Sequence, residues 1–541
     1  MSTKREFRID FTRAVLNNLL KRKRPEEMLK DAKRNGLKKT LTAFDLIMLG
    51  VGAIIGSGIF AVVGIAAAGG PESAGAGPAL TLSMIIATIA CVFSALCYCE
   101  FATMLPVAGG AYIYTYATLG EFMAWIIGWV LMLEYGIGFI AVSCAWSNYF
   151  VQLMRGFQGV LPAWLTNPPL WLVSDYRSLM VQTNGSLEGV PTLFGLPVCI
   201  NLPAILIILF ITWIVKRGTK DSTILATVMV VVKLSVIALF VLVGAFYVKP
   251  ENWVPFAPNG FDGIFMGAFI IFLAYVGFDA LATTAEECKN PQRDLPIGII
   301  GSLLITTIVY ISVALVLTGM QSTCGTVCGM EIPQGFLDAP LAYVMSIVHQ
   351  DWVAGFISVG SLAGLTSVLL VMLMACTRIL YAMSRDNFLP SIFRKLNRKT
   401  RTPNIITYVV SLIAIVGVMF LDLNVAAQLC NFGTFTSFII ICVAVLILRK
   451  IDPNRHRPFK VPFSPWFPLA GIICCGGLMV FSLKNLTTSA ILFPVWIGVG
   501  ALIYFHYGYK KNRKKEAKVL EIKMKAIEKT RLQEANNQNK E

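Results

Sequence analysis

Apolar residues fall in long blocks separated by short polar or basic stretches. A bilayer core about 30 Å thick is crossed by roughly 20 apolar residues in a helix. Twelve blocks approach or exceed that length, near 42–69, 80–105, 122–150, 199–215, 222–248, 261–287, 297–319, 354–383, 404–421, 425–448, 466–483 and 489–508. The period-two alternation of a barrel strand is absent. The pattern predicts an all-α integral membrane protein with 12 transmembrane helices. Residues 1–41 are polar and basic, which predicts a cytosolic tail rather than a cleavable leader.

Composition agrees. Across 541 residues, 56% are apolar and only 14% charged, against about 25% charged in an ordinary soluble domain. That excludes a free soluble enzyme, a disordered chain and a disulfide scaffold. The net charge is +16, and its placement sets an orientation. With the N-terminus inside, 40 of the 46 Lys and Arg fall on inside segments, and only Arg155, Arg177, Lys249 and Lys484 fall outside. Both termini are therefore expected in the cytoplasm, with anionic lipid as the partner of the inner face. No compact soluble domain carries the charge, so nucleic acid is not an expected partner. A small accessory subunit would leave no readable mark.

Candidate chemistry outside the bilayer is sparse. The three His are far apart, and most of the thirteen Cys sit singly in apolar blocks, so no metal or other cofactor is expected. Cys324 and Cys328 share a loop expected outside, where a disulfide or two free thiols are both open. No catalytic cluster lies in a soluble segment large enough for chemistry, so an enzyme is not expected.

Two blocks carry interruptions. The first reads GVGAIIGSGIF over 50–60, with four glycines in nine residues at mid-membrane depth. Gly52 and Gly56 have the spacing of a helix-packing motif. The sharper reading is an unwound point. The N–H groups of Gly56, Ser57 and Gly58 would then face a carboxylate, and the carbonyls of Ile54 and Ile55 an ammonium. The sixth block reads FLAYVGFDA over 272–280, with Gly277 and the ionisable Asp279 mid-span. Blocks one and six correspond if the chain is a five-plus-five repeat. Five is odd, so the repeat is inverted, and matched breaks in inverted repeats mark a transporter's midplane site.

Charges inside blocks come next. Lys233 stands 13 residues after Lys220 and 16 before Lys249, roughly 20 Å from either end, too deep to snorkel. Such a lysine either pairs with a carboxylate or gains and loses a proton during transport. Glu134 is equally deep in block three and is open to pairing with Lys233, tuning it through water, or touching substrate. Asp45, Glu100, Glu286, Glu287, Arg378 and Arg385 lie nearer the inner face. There they form interfacial ion pairs or close an inner gate, for which Asp279 is a further candidate.

The stretches GAIIGSGIF (52–60), EFATMLPVAGGAYIYTY (100–116), LEYGIG (133–138), AYVGFDALATTAEECKNPQRDLPIGI (274–299) and TRILYAMSRDNFLP (377–390) run in order over most of the first ten blocks. In them the chain resembles the cationic amino acid transporter family, part of the amino acid–polyamine–organocation superfamily, and its twelve-helix bacterial members in particular. The resemblance implies the five-plus-five fold and secondary active transport of amino acids. It implies a substrate carboxylate on Gly56, Ser57 and Gly58, and an α-amino group on carbonyls around Ile54, Leu273, Ala274 and Val276, with Tyr275 and Gly277 in the same break. Lys233 matches the family's fifth-helix lysine and Glu134 its third-helix glutamate. Sodium-coupled relatives hold the ion in the region of that lysine, so a Lys there argues for proton coupling. Met372 and Met374 are candidates to narrow the side-chain subpocket and lower its polarity, which favours neutral or broadly accepted amino acids.

The expected protein is thus a proton-coupled permease for free L-amino acids in a bacterial inner membrane. Rivals are an exchanger or sodium-coupled transporter of the same fold, and an amino acid sensor without flux. The expected organisation is a basic tail with an interfacial helix at 1–41, repeats at 42–248 and 261–448, two further helices at 466–508, and a basic tail at 509–541.

Overall fold

The computed structural model describes residues 20–35, 39–56, 58–70, 73–157, 161–182, 190–193, 196–197, 199–323, 332–421, 423–485, 487–509 and 513. Ten helices among them are long and apolar enough to cross a membrane. They are helix 1 (Ala43–Ala68), helix 2 (Gly77–Met104), helix 3 (Glu121–Arg155), helix 5 (Ser222–Tyr247), helix 6 (Gly260–Thr283), helix 7 (Pro291–Met320), helix 8 (Asp351–Arg385), helix 10 (Val425–Ile451), helix 11 (Trp466–Leu483) and helix 12 (Thr488–Gly508). The remaining two apolar blocks form helix 4 (Leu202–Arg217) and helix 9 (Asn404–Phe420). At 1.5 Å per residue these rise only about 24–26 Å, short of a full hydrocarbon core. Strand content among the described residues is two hairpins of two-residue strands.

Helix 7 packs against helices 1 and 2, helix 8 against helices 3 and 5, helix 6 against helix 2, and helix 11 against helix 10. The outer faces stay apolar and exposed, as at Leu206, Leu209 and Phe210 of helix 4 and Leu412, Ile413 and Val416 of helix 9. Apolar residues facing outward in such numbers suit lipid as solvent.

Helices 1 and 6 are both interrupted. The α-helical part of helix 1 ends at Ile54, Ile55 turns extended (φ −75°, ψ 101°), and a π turn over Gly58–Val62 restarts the helix. Helix 6 runs regularly to Phe272, tightens over Leu273–Tyr275, turns extended at Val276 and takes φ +131° at Gly277. The two interruptions abut. A Cβ on Gly58 would lie 2.2 Å from the Ala274 Cα, and one on Gly277 would lie 2.8 Å from the Ala53 Cβ. Both the packing reading and the unwinding reading of the glycine run hold. Gly52 approaches Val230 of helix 5, while Gly56 presses on Val368 of helix 8.

The basic face is crossed by the segment ahead of helix 1. Leu20 passes over Gly120, and the Lys23 N–H donates to the Tyr116 carbonyl at 3.3 Å. The Lys23 Nζ lies 2.7 Å from Asp386, which also accepts from the Tyr112 hydroxyl. The expected tail helix is present at Pro25–Asn35, with Met28 buried. Leu41 then pairs alongside Cys288, and Thr40 and Leu41 both donate to the Glu287 carbonyl. Burial pushes the Cys288 thiol up to about 12, so it stays protonated at neutral pH. Asp45, expected among the gate charges, instead accepts from the Thr42 N–H and hydroxyl and caps helix 1.

Gly277→Ala is expected to destabilise the protein, because forcing a side chain into that backbone region costs about 1–3 kcal/mol. Gly477→Ala, whose Cβ would meet nothing within 4 Å, is the control. Thermal unfolding followed by size exclusion should show a lower Tm for the first and an unchanged or higher Tm for the second.

Candidate functional site

An interruption in a buried helix strands the carbonyls of the preceding turn, and each must find a donor. In helix 1 these are the carbonyls of residues 52–55. Lys233 of helix 5, fully buried, supplies two of the donors: its Nζ donates to the Gly52 carbonyl at 3.0 Å and the Ile55 carbonyl at 2.6 Å. Its third bond, 2.9 Å, goes to Ser367 Oγ of helix 8, which itself donates to Gly52. An ammonium has three N–H donors and no acceptor, so this set uses all three. Among the described residues no carboxylate pairs with Lys233.

Tyr310 of helix 7 joins the two interruptions. Its hydroxyl lies 2.8 Å from the Ile54 carbonyl and 2.8 Å from the Ala274 carbonyl, and its single O–H is shared between them. Ile54 and Ile55 were expected to offer free carbonyls to an ammonium. Among the described residues, Ile55 accepts from Lys233, and Ile54 shares the Tyr310 hydroxyl with Ala274. Elsewhere in the second interruption, Leu273 accepts from the Val276 N–H at 3.3 Å and Gly277 from the Ala280 N–H at 3.1 Å. Tyr275 turns away, its hydroxyl bonded to Thr88 of helix 2. Ser57 lies outside the described residues.

Glu134 and Asp279 do not reach Lys233. They interact with each other. Glu134 sits on a π turn over Met132–Ile137, a distortion common at functional sites. Ser437 of helix 10 donates to Glu134 Oε2 at 3.0 Å, and the Tyr135 hydroxyl donates to Asp279 Oδ2. Glu134 Oε1 and Asp279 Oδ1 are left without a partner. Asp279 is therefore one half of a buried acid pair and not a gate charge as expected.

The remaining gate candidates do assemble. Arg378 Nη2 lies 2.5 Å from Glu287 Oε1, and Arg385 Nη1 lies 3.1 Å from Glu286 Oε1. Both pairs tie the end of helix 6 to the end of helix 8. Glu286 also accepts from the Ala108 N–H at 2.9 Å. Glu100 is a clamp of another kind, bonded to Arg449, Arg457 and the Val461 N–H. Met372 faces Gly138 of helix 3, and Met374 faces a cleft on the basic face. The helix 8 side chain against Gly56 is Val368, so an apolar wall is present but a different residue builds it. Cys324 and Cys328 lie outside the described residues.

Sequence reading did not find Tyr310, Ser367, Val368, Tyr135 or Ser437. A polar tip in mid-span was the available signal for the hydroxyl residues, but many such residues bond only their own helix, as Thr306 and Ser361 do.

Tyr310→Phe removes the one donor shared by the two interruptions. Leaving a buried acceptor unpaired costs about 1–3 kcal/mol, so Tm should fall. Thermal unfolding of the purified variant beside the parent checks this.

The family model for amino acid permeases matches residues 41–502. The chain is 42% identical over 497 residues to a methylthioribose transporter of Bacillus subtilis, covering 92% of this chain and 99% of that one. It is 42% identical over 479 residues to the branched-chain amino acid permease BcaP of the same organism, covering 88% and 94%. It is 36% identical over 483 residues to the chloroplastic cationic amino acid transporter 9 of Arabidopsis thaliana, covering 87% and 78%. These relatives are transporters and permeases, not enzymes. The chain belongs to the amino acid permease family of the amino acid–polyamine–organocation superfamily.

Proposed function

We propose that this permease takes up neutral amino acids with protons by alternating access, and that Lys233 carries the coupling proton. The observation that carries the reading is a buried ammonium bonded to the stranded carbonyls of helix 1 with no carboxylate partner among the described residues. As an ammonium it fills three acceptors. After losing a proton it has two donors for three acceptors, and the Gly52–Ile55 turn loses part of its closure. Protonation is thereby linked to the geometry of the segment that would bind the substrate carboxylate through Gly56, Ser57 and Gly58. The α-ammonium would take carbonyls around Ile54, Ala274 and Val276. The Glu134–Asp279 pair is a second place for a proton beside the same helix 6 segment.

Sodium fits poorly where Lys233 Nζ already occupies the carbonyl and hydroxyl acceptors that would ligate it. Val368 against Gly56 supports an apolar side-chain subpocket, and BcaP is named for branched-chain substrates. We place the basic face in the cytoplasm, from the concentration of Lys and Arg on its loops, and the protein in a bacterial inner membrane. The two interruptions, in helices 1 and 6, support a five-plus-five inverted repeat with helices 11 and 12 added.

Proteoliposome uptake tests this. Labelled leucine, isoleucine, arginine and methylthioribose are offered under an inward proton gradient, a sodium gradient, or neither. Proton-driven accumulation of leucine and isoleucine is the expected outcome. Accumulation of methylthioribose alone, or driven only by sodium, would contradict the reading, and binding without flux would favour a sensor. Lys233→Met should abolish gradient-driven accumulation yet retain leucine counterflow, in which no net proton moves. Loss of both would indicate a merely structural lysine.

A further inference from the structure

Helices 4 and 9 lie side by side, with Thr212 Oγ1 2.6 Å from Ser411 Oγ. The segment leading into helix 9 carries five basic residues in the eight from Arg394 to Arg401, and no Asp or Glu occurs between Asp386 and Asp422. All five are exposed. Lys216 and Arg217 end helix 4 beside them, and the Lys216 carbonyl lies 3.5 Å from Thr402 Oγ1. Among the described residues none of these seven cations has a carboxylate partner. Positive charge alone would serve orientation in the membrane, but this loop is also folded. The Asn397 side-chain oxygen accepts from the Lys399 N–H at 2.9 Å and the Thr400 N–H at 3.4 Å. Asn397 also accepts from the Arg401 N–H at 3.0 Å and donates to the Thr402 carbonyl at 2.9 Å. Arg401 is held at φ +57°, a region that residues other than glycine rarely adopt. The loop thus keeps like charges together against their repulsion.

Two aromatic rings adjoin the cluster. The Arg217 guanidinium lies 3.7 Å from the centre of the Trp213 ring, and Lys216 Nζ lies 5.6 Å from that of Tyr408. Both rings are exposed, and exposed Trp and Tyr beside cations are the residues of a membrane interface. Farther along the same two helices the exposed side chains are apolar, Leu206 and Leu209 on helix 4 and Leu412 and Val416 on helix 9. A soluble anion would meet the cations and leave these apolar faces unused. A ligand with phosphate at one end and hydrocarbon at the other meets both. We propose that the loop at 394–401 and the adjoining ends of helices 4 and 9 form a binding site for an anionic phospholipid. The headgroup phosphate docks on Arg398, Lys399 and Arg401, the interfacial part of the lipid lies at Trp213 and Tyr408, and the acyl chains follow the outward faces of helices 4 and 9. Basic groups beside membrane-spanning helices bind anionic headgroups by this combination of charge and apolar contact.

The test uses the full-length protein, stripped of lipid in a neutral detergent. Binding of the first lipid molecule is read by native mass spectrometry as phosphatidylglycerol, cardiolipin or phosphatidylcholine is added. Phosphatidylglycerol and cardiolipin should bind, and zwitterionic phosphatidylcholine should not. Arg398→Gln, Lys399→Gln and Arg401→Asn together should weaken phosphatidylglycerol binding by about a hundredfold, the loss expected for three basic residues at an anionic surface. Lys514→Gln, Lys515→Gln and Lys518→Gln together remove the same charge from the C-terminal tail and should leave binding unchanged. Asn397→Ala keeps every charge but releases the Lys399 and Thr400 N–H groups, and it should weaken binding as well. Thermal unfolding checks that each variant is folded, and Arg398→Gln with Lys399→Gln serves if the triple variant is not. Equal weakening by the tail variant, parent affinity in Asn397→Ala, or equal binding of phosphatidylcholine would overturn the proposal. So would displacement of the lipid by glycerophosphoglycerol, the headgroup without its chains, which would assign the loop to a soluble phosphate ester.

Discussion

A helix interrupted inside a bilayer has no water to satisfy its stranded carbonyls, and the arrangement of this protein follows from how that is solved. Helix 1 brings its carbonyls at 52–55 against two side chains from other helices. The Lys233 ammonium takes Gly52 and Ile55, and the Tyr310 hydroxyl takes Ile54 together with Ala274 of the second interruption. Helices 5 and 7 are thereby fixed to helix 1, and Ser367 brings helix 8 into the same cluster. The close approach of the two interruptions needs glycine at 58 and 277, since any Cβ there meets Ala274 or Ala53. The same feature that must be held shut is the one a substrate would have to open, which makes the donor count of Lys233 consequential.

Two further charge systems lie on either side of this centre. The Glu134–Asp279 pair is buried among helices 3, 6 and 10, and each carboxyl has one oxygen held by a hydroxyl and one without a partner. Toward the basic face, Glu286 and Glu287 at the end of helix 6 meet Arg385 and Arg378 of helix 8. The segment ahead of helix 1 runs across that face and bonds the Glu287 backbone. Movement of the helix 6 end therefore requires the arginine pairs and the backbone bonds of this strap to rearrange together. Such a set can occupy discrete arrangements rather than deform continuously.

Position along each helix was legible in the sequence. Block length and glycine spacing located both interruptions, and the distance of Lys233 from flanking charges placed it near the middle of helix 5. The pairing of Glu286 and Glu287 with Arg385 and Arg378 was legible as a shared depth near one face. Direction around each helix axis was not. Lys233 and Glu134 each stand 13 residues from a preceding charge, yet one points at helix 1 and the other at helices 6 and 10. Asp279 is one turn away from the interruption in helix 6 and points to Tyr135 instead of an arginine. Asp45 read as a gate charge because its capping bond to Thr42 is satisfied locally, and local satisfaction leaves no mark on hydropathy. Met372 and Val368 are four residues apart on one helix, and only the packing of helix 8 against helices 1 and 3 decides which of them meets Gly56.

The most direct test of the central claim is proton movement itself. Liposomes holding the protein and a trapped pH-sensitive dye receive external leucine with no imposed gradient. Net inward leucine flux should acidify the lumen for the parent protein, and Lys233→Met should produce no acidification while still catalysing leucine counterflow. Acidification that persists in Lys233→Met at the parent rate would contradict the claim that this lysine carries the proton.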